Sequence, residues 1–291
     1  MSAPPDRVIA GPLAPSDLDR WHLDGFVILK GLLPLVMVKA MLDRAVELAR
    51  LQAETGGLPA GFLVPERNAV ASAVDPEDRV SKIFLLHDWD PVFGPASRQP
   101  TIADAVSQLL GEDLDCFLSQ FIFKSPGAIG QPWHQDSFYF PFEPDRQVGV
   151  WIAVTEATRS NGPLWVLPGS HTEPVHEHVA DTRPGANVGY TEIVDHDMSG
   201  EVPVLLDPGD VVLFDSHLMH RSTDNVSDRP RAAMVYHYAT AGTVDRTAQA
   251  LQTDGDALGE MPEGVVDRAA RTGSVYDSWL PVRRGGLPVL G

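Results

Sequence analysis

One short stretch of the sequence combines residue types that bind divalent metal ions. His134 and Asp136 are separated by one residue, so in an extended backbone their side chains share a face while Gln135 points away. A third ligand must come from elsewhere in the chain, and His220 is the best candidate. Two histidines and one carboxylate that leave coordination positions open form the facial triad of non-haem Fe(II) sites. The spacing therefore predicts an Fe(II) site at His134, Asp136 and His220.

Composition places the chain among globular proteins with a sizeable core. It has 291 residues, of which 43% are hydrophobic, and a single β-rich domain often reaches this length. The sequence contains no run of about 18 apolar residues, so no transmembrane helix is predicted. The N-terminus lacks the apolar segment of a signal peptide, and Cys116 is the only cysteine. We therefore expect a cytoplasmic protein without a disulfide or a membrane partner.

The charge of the chain restricts its partners. The formal net charge is −18, and no cluster of lysine and arginine is visible that would follow a phosphate backbone. Nucleic acid is excluded on this basis, and an acidic carrier protein would be repelled. A free small molecule is the simpler partner, and the oligomeric state is left open.

Short strand patterns punctuated by glycine and proline turns dominate the sequence. They predict a mainly β fold, a double-stranded β-helix or jelly-roll (cupin-like) barrel, braced by N-terminal α-helices. We expect one domain over 1–291, with a loose arm at 1–14 and a peripheral extension from about 240 to 291. Ser16 and Thr101 are predicted helix caps. The strands at 202–206 and 211–217 are predicted to form a hairpin.

The metal motif belongs to an ordered set of residues that resembles a known family. The family is the phytanoyl-CoA dioxygenase-like branch of the Fe(II)/2-oxoglutarate oxygenases. The matching pieces are Asp24 to Gly31, His134-Gln135-Asp136, Asn161-Gly162, Leu167 to His171, and His220-Arg221-Ser222 with Asn225, Ser227 and Arg231. The resemblance implies that Fe(II), 2-oxoglutarate and O2 oxidise an unactivated C–H bond while succinate and CO2 are released. Related halogenases carry a small residue where this chain has Asp136, so hydroxylation, desaturation or ring closure is favoured.

The resemblance also implies which residues hold 2-oxoglutarate. Arg231 lies eleven positions after His220, the offset of the family's carboxylate-binding arginine, and Arg229 is the second candidate. Ser222 would share the face of His220 and donate a hydroxyl to the same carboxylate. Three further contacts are carried over by position: Lys82, Gln120 and Trp151. For these three, the alternatives are a surface salt bridge, a glutamine bonded to backbone and a core tryptophan, respectively.

Aromatic residues around the metal motif predict the substrate pocket. These are Trp133, Phe138, Tyr139 and Phe140. Arg146 or Arg183 would anchor a substrate carboxylate, unless both are exposed surface arginines. The family takes acyl thioesters, amino acids, terpenoids and other secondary metabolites. Because no Lys/Arg cluster is visible to bind coenzyme A, a secondary metabolite is favoured.

Two other protein classes fit the same strand pattern. A cupin-type metalloenzyme would use its metal without 2-oxoglutarate, and a non-catalytic jelly roll would bind a ligand without iron. Arg231 together with Ser222 separates the first class, which needs neither residue. A loop at 171–178 also carries His171, His176 and His178 among acidic residues. These histidines are predicted to be solvated rather than metal ligands.

Overall fold

The computed structural model of the protein describes residues 11–58, 62–68, 74–187, 189–246 and 278–289. Its α-helices are α1 (Pro15–Asp24), α2 (Leu35–Thr55), α3 (Leu86–Trp89), α4 (Phe93–Ser97) and α5 (Pro100–Leu110). Its strands are β1 (Phe26–Leu29), β2 (Leu63–Pro65), β3 (Val80–Phe84), β4 (Leu114–Lys124), β5 (Phe142–Glu143), β6 (Gln147–Ala153), β7 (Leu164–Val166), β8 (Val179–Ala180), β9 (Thr191–Glu192), β10 (Val202–Val204), β11 (Val211–Asp215), β12 (His220–Ser222), β13 (Arg231–Thr240), β14 (Val244–Asp245), β15 (Leu280–Arg284) and β16 (Leu287–Pro288). Short 3₁₀ turns lie at Pro76–Arg79, Asp136–Phe138 and Ser170–Thr172.

Two antiparallel sheets face each other. The larger sheet has the strand order β1-β11-β6-β13-β4-β15-β16, with β3 pairing with both β4 and β2. The smaller sheet has the order β10-β7-β12. Most neighbouring strands in this order are distant in sequence, as a jelly roll requires. The predicted jelly-roll fold braced by N-terminal helices is confirmed.

Alternation along the strands divides the core between the two faces of the larger sheet. One face packs against the helices, where Met234 and Phe121 of the sheet join Met41 of α2 in one apolar cluster. The other face looks into the barrel, where Trp151 and neighbouring apolar residues meet the smaller sheet. Successive residues of a strand point to opposite faces, so polar residues at inward positions enter the barrel.

Two helices start differently from the prediction because a proline takes an early helical position in each. α1 begins at Pro15 and α5 at Pro100, so Ser16 and Thr101 lie inside the first turn and are not caps. At α5 the cap is Gln99, whose side chain accepts a hydrogen bond from a backbone amide of the first turn at 3.1 Å. Proline is pre-organised for the first turn, so each helix starts at its proline and its cap lies two residues before the predicted one, at Ala14 and Gln99.

The predicted hairpin at 202–217 is wrong, because its two strands belong to different sheets. β10 pairs with β7, whereas β11 pairs with β1 and β6. The turn between them crosses from one sheet to the other and is bound to the end of β1. Asp210 accepts hydrogen bonds from the Gly31 amide and from Lys30 Nζ, both at 2.7 Å. A Pro-Gly-Asp turn indicates that the chain changes direction, but it does not specify which sheet the next strand joins.

Both ends of the described chain are attached to the domain. Leu13 is buried, its amide donates to Gln108 Oε1 at 2.8 Å, and its carbonyl accepts from Gln108 Nε2 at 3.1 Å. Residues 11–14 are thus held against α5, while 1–10 of the predicted loose arm lie outside the described residues.

The C-terminal part adds a strand to the larger sheet. β15 pairs with β4, and Trp279 packs on Phe117 and Phe142 with ring centroids 5.3 Å apart in each case. Residues 247–277 of the predicted peripheral extension lie outside the described residues. Among the described helices, none has the length and apolar character needed to cross a membrane.

Candidate metal and cosubstrate site

The three predicted metal ligands meet between the two sheets, and together they are called the inner triad below. His134 and His220 exchange two backbone hydrogen bonds, of 2.9 and 3.0 Å, which bring the two remote segments together. Asp136 follows at the start of a 3₁₀ turn. Its Oδ1 lies 3.6 Å from His134 Nε2 and 3.7 Å from His220 Nε2. All three residues are buried, and their ligand atoms converge on one point.

The imidazoles of the inner triad are held in the form that binds a metal. Nδ1 of His134 lies 2.8 Å from the Pro132 carbonyl, and Nδ1 of His220 lies 2.9 Å from the Leu218 carbonyl. Each Nδ1 therefore carries the proton that it donates, and each Nε2 presents a lone pair toward Asp136. Burial, together with the neighbouring His220, holds the pKa of His134 well below its ordinary value. Two imidazoles oriented in this way beside one carboxylate fit Fe(II).

Gln135, between two ligands, points away from them as predicted and holds the surrounding loops. Its Oε1 accepts from the His176 amide at 2.8 Å, and its Nε2 donates to the His217 carbonyl at 2.9 Å and to the Pro174 carbonyl at 3.1 Å. Its backbone amide donates to Nε2 of His178 at 3.0 Å. The metal motif is thus bonded to its surroundings on the side opposite the ligands.

A third histidine lies beside the two of the inner triad, and sequence reasoning missed it. Nδ1 of His237 is 3.6 Å from Asp136 Oδ2, and its ring packs against Phe140 at a centroid distance of 5.1 Å. Burial lowers its pKa to about 4, although Asp136 opposes the shift. The signal was available, because alternation along β13 places His237 on the same face as Arg231.

The predicted 2-oxoglutarate contacts line the inner face of the larger sheet. Gln120, Val235 and Trp151 stand in one row across three neighbouring strands. Lys82 lies in the next inward row and Arg231 in the one after it. Residues directly opposite each other on paired strands point to the same side, so these side chains share the barrel interior.

Arg231 is a buried cation with open hydrogen-bonding positions. Its Nη2 donates to the Gly162 carbonyl at 2.6 Å, and its guanidinium carbon lies 5.4 Å from the centre of the Trp151 ring. Its Nε and Nη1 atoms are buried without a hydrogen-bond partner, and burial lowers its pKa to about 10. Arg229, the other candidate, is exposed near Glu156. A buried guanidinium with unmet N–H groups fits the carboxylate of a bound oxoacid.

Ser222 and an unpredicted lysine join the two sheets next to Arg231. Nζ of Lys124 donates to Ser222 Oγ at 2.8 Å and to the Thr223 carbonyl at 2.7 Å. Burial and the neighbouring Arg231 hold the pKa of Lys124 well below its ordinary value. Alternation along β4 puts Lys124 on the same face as Gln120, but no motif in the sequence indicates a role for its charge.

Lys82 and Gln120 have few polar contacts with the other described residues. Nζ of Lys82 donates to Gln131 Oε1 at 3.2 Å and lies 5.2 Å from the centre of the Tyr190 ring. Within the described ranges it has no ion-pair partner, and burial lowers its pKa to about 8. The side chain of Gln120 makes no hydrogen bond with any described residue.

The predicted aromatic pocket residues separate into two environments. Tyr139 lies edge-on to His134 at 6.0 Å, and Phe138 stacks on His178 at 4.1 Å. Phe140 is buried in the cluster beside His237. Trp133 lies in a different apolar cluster, under the guanidinium of Arg221, because its side chain alternates away from that of His134.

The two arginines proposed as substrate anchors already have partners. Arg183 is ion-paired with Asp181 at 2.7 Å and donates to the Gly130 carbonyl at 2.6 Å. Arg146 donates to the Leu109 carbonyl at 3.1 Å from an exposed position. Anchoring of a substrate by Arg183 therefore stays a prediction. In the structure this arginine instead connects Asp181 to the Gly130 carbonyl.

Comparison with known proteins agrees with this geometry. The family model named phytanoyl-CoA dioxygenase (PhyH) matches residues 21–233. The bovine phytanoyl-CoA dioxygenase domain-containing protein 1 is 30% identical over 271 residues, which cover 80% of this chain and 92% of that protein. This chain belongs to the phytanoyl-CoA dioxygenase family. The predicted family, enzyme class and cofactors, an oxygenase that uses Fe(II) and 2-oxoglutarate, are confirmed.

Two further proteins are similar to this chain over comparable lengths. An ectoine dioxygenase from Bordetella bronchiseptica is 28% identical over 78% of this chain and 76% of its own length. Among solved structures, EctD from S. alaskensis with 2-oxoglutarate and 5-hydroxyectoine superimposes with a TM-score of 0.61. It is 25% identical, and the match covers 81% of each chain.

Proposed function

We propose that this family member hydroxylates an unactivated C–H bond of a small-molecule substrate, of the secondary-metabolite kind. One O2 and one 2-oxoglutarate are consumed, one oxygen atom enters the substrate, and the other enters succinate as CO2 leaves. The observation that carries the proposal is Arg231, a guanidinium buried inside the barrel with two open N–H groups and no carboxylate partner among the described residues. A metalloenzyme that did not bind an oxoacid would have no use for such a group.

We assign His134, Asp136 and His220 as the iron ligands. Bound iron would supply the oxidising chemistry of the reaction, and the protein contributes placement and exclusion of water. The bonds from the two Nδ1 atoms to backbone carbonyls keep both rings oriented before any metal arrives. His237 is assigned as a positioning residue for Asp136, which it approaches at 3.6 Å.

We assign the far carboxylate of 2-oxoglutarate to Arg231 and Ser222. Ser222 shares the face of His220 on β12, so the two lie on the same side of the smaller sheet. Lys124 contacts Ser222 Oγ and adds a second buried basic group at the same end of the barrel. Trp151 covers the Arg231 guanidinium, and this stacking favours a planar, fixed fork over a mobile one.

Lys82 and Gln120 are assigned to the rest of the cosubstrate. Both face the barrel interior, and neither has a carboxylate partner among the residues described. The nearby charges act on the pKa of Lys82 in opposite directions, since Asp136 raises it and Arg231 lowers it. A dianionic oxoacid would compensate the buried cations in this part of the barrel.

An aromatic wall next to the inner triad supports a small substrate with apolar character. Phe138, Tyr139 and Phe140 run along it, and Tyr139 and Phe138 are only half-buried. The net charge of −18 opposes a highly anionic coenzyme A thioester. The solved relative EctD was obtained with a small hydroxylated molecule, 5-hydroxyectoine. These observations support a free metabolite as substrate.

The cosubstrate assignment is tested by spectroscopy without oxygen. Addition of 2-oxoglutarate to the Fe(II) protein should produce a visible charge-transfer band. Arg231→Gln should need about 100-fold more 2-oxoglutarate to reach half of that band, because two or more charge-assisted hydrogen bonds are lost. Ser222→Ala should show a smaller shift in the same direction. The matched control is Arg229→Ala, an exposed arginine two positions away, which should behave as wild type.

An unchanged 2-oxoglutarate requirement in both Arg231→Gln and Ser222→Ala would overturn the assignment. The substrate class is tested separately, by screening free metabolites for succinate release above the substrate-free rate and for products that gain one oxygen atom. Stimulation by coenzyme A thioesters alone would contradict a free small-molecule substrate.

A further inference from the structure

A second group of two histidines and one carboxylate lies outside the inner triad. It consists of Glu173, His176 and His196, and is called the outer triad below. Oε2 of Glu173 lies 2.9 Å from His176 Nε2 and 3.1 Å from His196 Nε2. Potential ligand atoms of all three residues lie within 4.8 Å of one another. The sequence predicted His176 to be solvated and made no prediction for His196, but both imidazoles turn to one oxygen of Glu173.

The shape of the outer triad differs from that of ordinary ion pairs. Two imidazoles that bond independently to a carboxylate are free to use both oxygens, whereas here both Nε2 atoms approach Oε2. The two rings stand at 87° with their centroids 5.1 Å apart, so their nitrogens converge without the rings colliding. Nδ1 of His196 is buried without a partner, so no second bond of that ring opposes a reorientation.

These distances are close to those of a tetrahedral metal site. Zn²⁺ binds histidine nitrogen and carboxylate oxygen at about 2.0–2.2 Å, which separates neighbouring ligand atoms by about 3.3 Å. The observed separations to Oε2 differ from that value by a few tenths of an ångström. Partial burial on the loop leaves a fourth position for water. Two imidazoles and one carboxylate are a ligand set that Zn²⁺ accepts.

The outer triad joins the two ends of one loop. Glu173 and His176 lie at its start and His196 at its end. The middle of the loop reaches the pocket, where the Tyr139 hydroxyl lies 2.6 Å from Thr191 Oγ1 and Tyr190 lies under Lys82. The start of the loop is also bonded to the metal motif through Gln135. A metal ion at the outer triad would therefore close the loop that covers the inner triad.

We propose that Glu173, His176 and His196 bind a Zn²⁺ ion, separate from the catalytic iron, that fastens loop 173–196 over the active site. This role goes beyond the proposed oxygenase function and does not depend on it. The ion is structural, because its ligands face one another at the base of the loop and do not face the barrel interior.

The test is the zinc stoichiometry of the full chain after chelator treatment, measured by competition with a chromophoric chelator. Because Zn²⁺ also enters facial triads, the inner triad is removed in a His134→Ala/His220→Ala variant. We expect two equivalents for wild type and one for that variant. Adding His196→Ala to it should abolish the remaining equivalent or weaken its binding by about 100-fold or more. Adding His22→Ala, an exposed histidine on α1, should leave one equivalent.

Loop closure gives a second, independent readout. In the variant without the inner triad, Zn²⁺ should slow amide exchange in 173–196, and Glu173→Gln should remove that protection while leaving exchange in β13 unchanged. Absence of a second equivalent in wild type would overturn the proposal. So would retention of the equivalent after His196→Ala, since zinc would then be bound elsewhere.

Discussion

The inner and outer triads contain the same residue types in very different surroundings. The side chains of the inner triad are between 6% and 11% exposed, whereas those of the outer triad are between 19% and 38% exposed. Both inner histidines donate Nδ1–H to a backbone carbonyl. In the outer triad, Nδ1 of His196 has no partner among the described residues.

The difference concerns what orients the ligands. In the inner triad, backbone pairing and the Nδ1 bonds orient each imidazole before a metal binds. The two Nε2 atoms lie at nearly equal distances from Asp136 Oδ1, 3.6 and 3.7 Å. In the outer triad, the two imidazoles are oriented by their hydrogen bonds with the Glu173 carboxylate. Preorganisation of this kind separates a site built for catalysis from one built for attachment.

The largest contrast between the triads should appear in turnover. His220→Ala should lower iron-dependent succinate release by about 1,000-fold, because a ligand worth several kcal/mol is removed. His196→Ala should change the same rate by less than about threefold at saturating iron. Succinate release and bound iron, measured on both variants, check the pair. Equal losses of succinate release in the two variants would contradict the assignment of a catalytic role to the inner triad and a structural role to the outer triad.

His237 tests whether support around the ligands matters as much as the ligands. His237→Phe should weaken iron binding by about 30-fold, because Asp136 loses a neighbouring imidazole and the orientation that it gives. His237→Gln, which keeps a polar group, should recover part of that loss. The measurement is the iron dissociation constant at a single pH. Full affinity in His237→Phe would show that the triad is oriented by its own backbone bonds alone.

Gln135 is the physical connection between the two triads, and its removal should uncouple them. Gln135→Ala leaves two partly buried carbonyls and the His176 amide without their partner, which should lower the free energy of unfolding by about 1.5 kcal/mol. Iron affinity should change by less than about fivefold. Urea unfolding and iron titration measure the two effects. A larger effect on iron than on unfolding would mean that Gln135 orients the ligands directly.

The smallest expected effect is a pH-dependent one on the outer side of the metal motif. The hydrogen bond to Asp145, 2.8 Å long, raises the pKa of His217. A raised folded-state pKa means that the stabilisation is complete below the unfolded pKa and is lost as pH rises through the folded one. His217→Gln should therefore cost about 0.5 kcal/mol near pH 5.5 and almost nothing near pH 8.5. Urea unfolding at both pH values checks the sign, and a cost that grows with pH would contradict it.

Much of the site was predictable because its residues obey strand alternation. His134 and Asp136 share a face, and Gln120, Trp151 and Arg231 enter the barrel as an extended backbone requires. Strand alternation also points His237 and Lys124 into the barrel, but no role was predicted for either residue. They were missed because a histidine or lysine at an inward position belongs to no recognisable motif. Their contacts, Asp136 for His237 and Ser222 for Lys124, are known only once the three-dimensional structure is available.

Other errors arose where local signals do not specify long-range partners. The turn at 207–210 was recognised, but a turn between strands of one sheet and a crossing between two sheets share the same residues. Trp133 was grouped with Phe138 by nearness in sequence, whereas alternation turns it toward Leu167 and Met219. The convergence of Glu173, His176 and His196 could not be predicted, since it depends on the path of a loop without periodicity.

The mutual backbone bonds of His134 and His220 also bear on when the enzyme becomes active after synthesis. They join positions 86 residues apart by peptide groups, at 2.9 and 3.0 Å, and need no ion to form. A nascent chain must therefore complete most of its long-range topology before the binding pocket exists. We therefore expect the apoprotein to fold with this pocket already formed, so that activation after synthesis requires only the binding of iron.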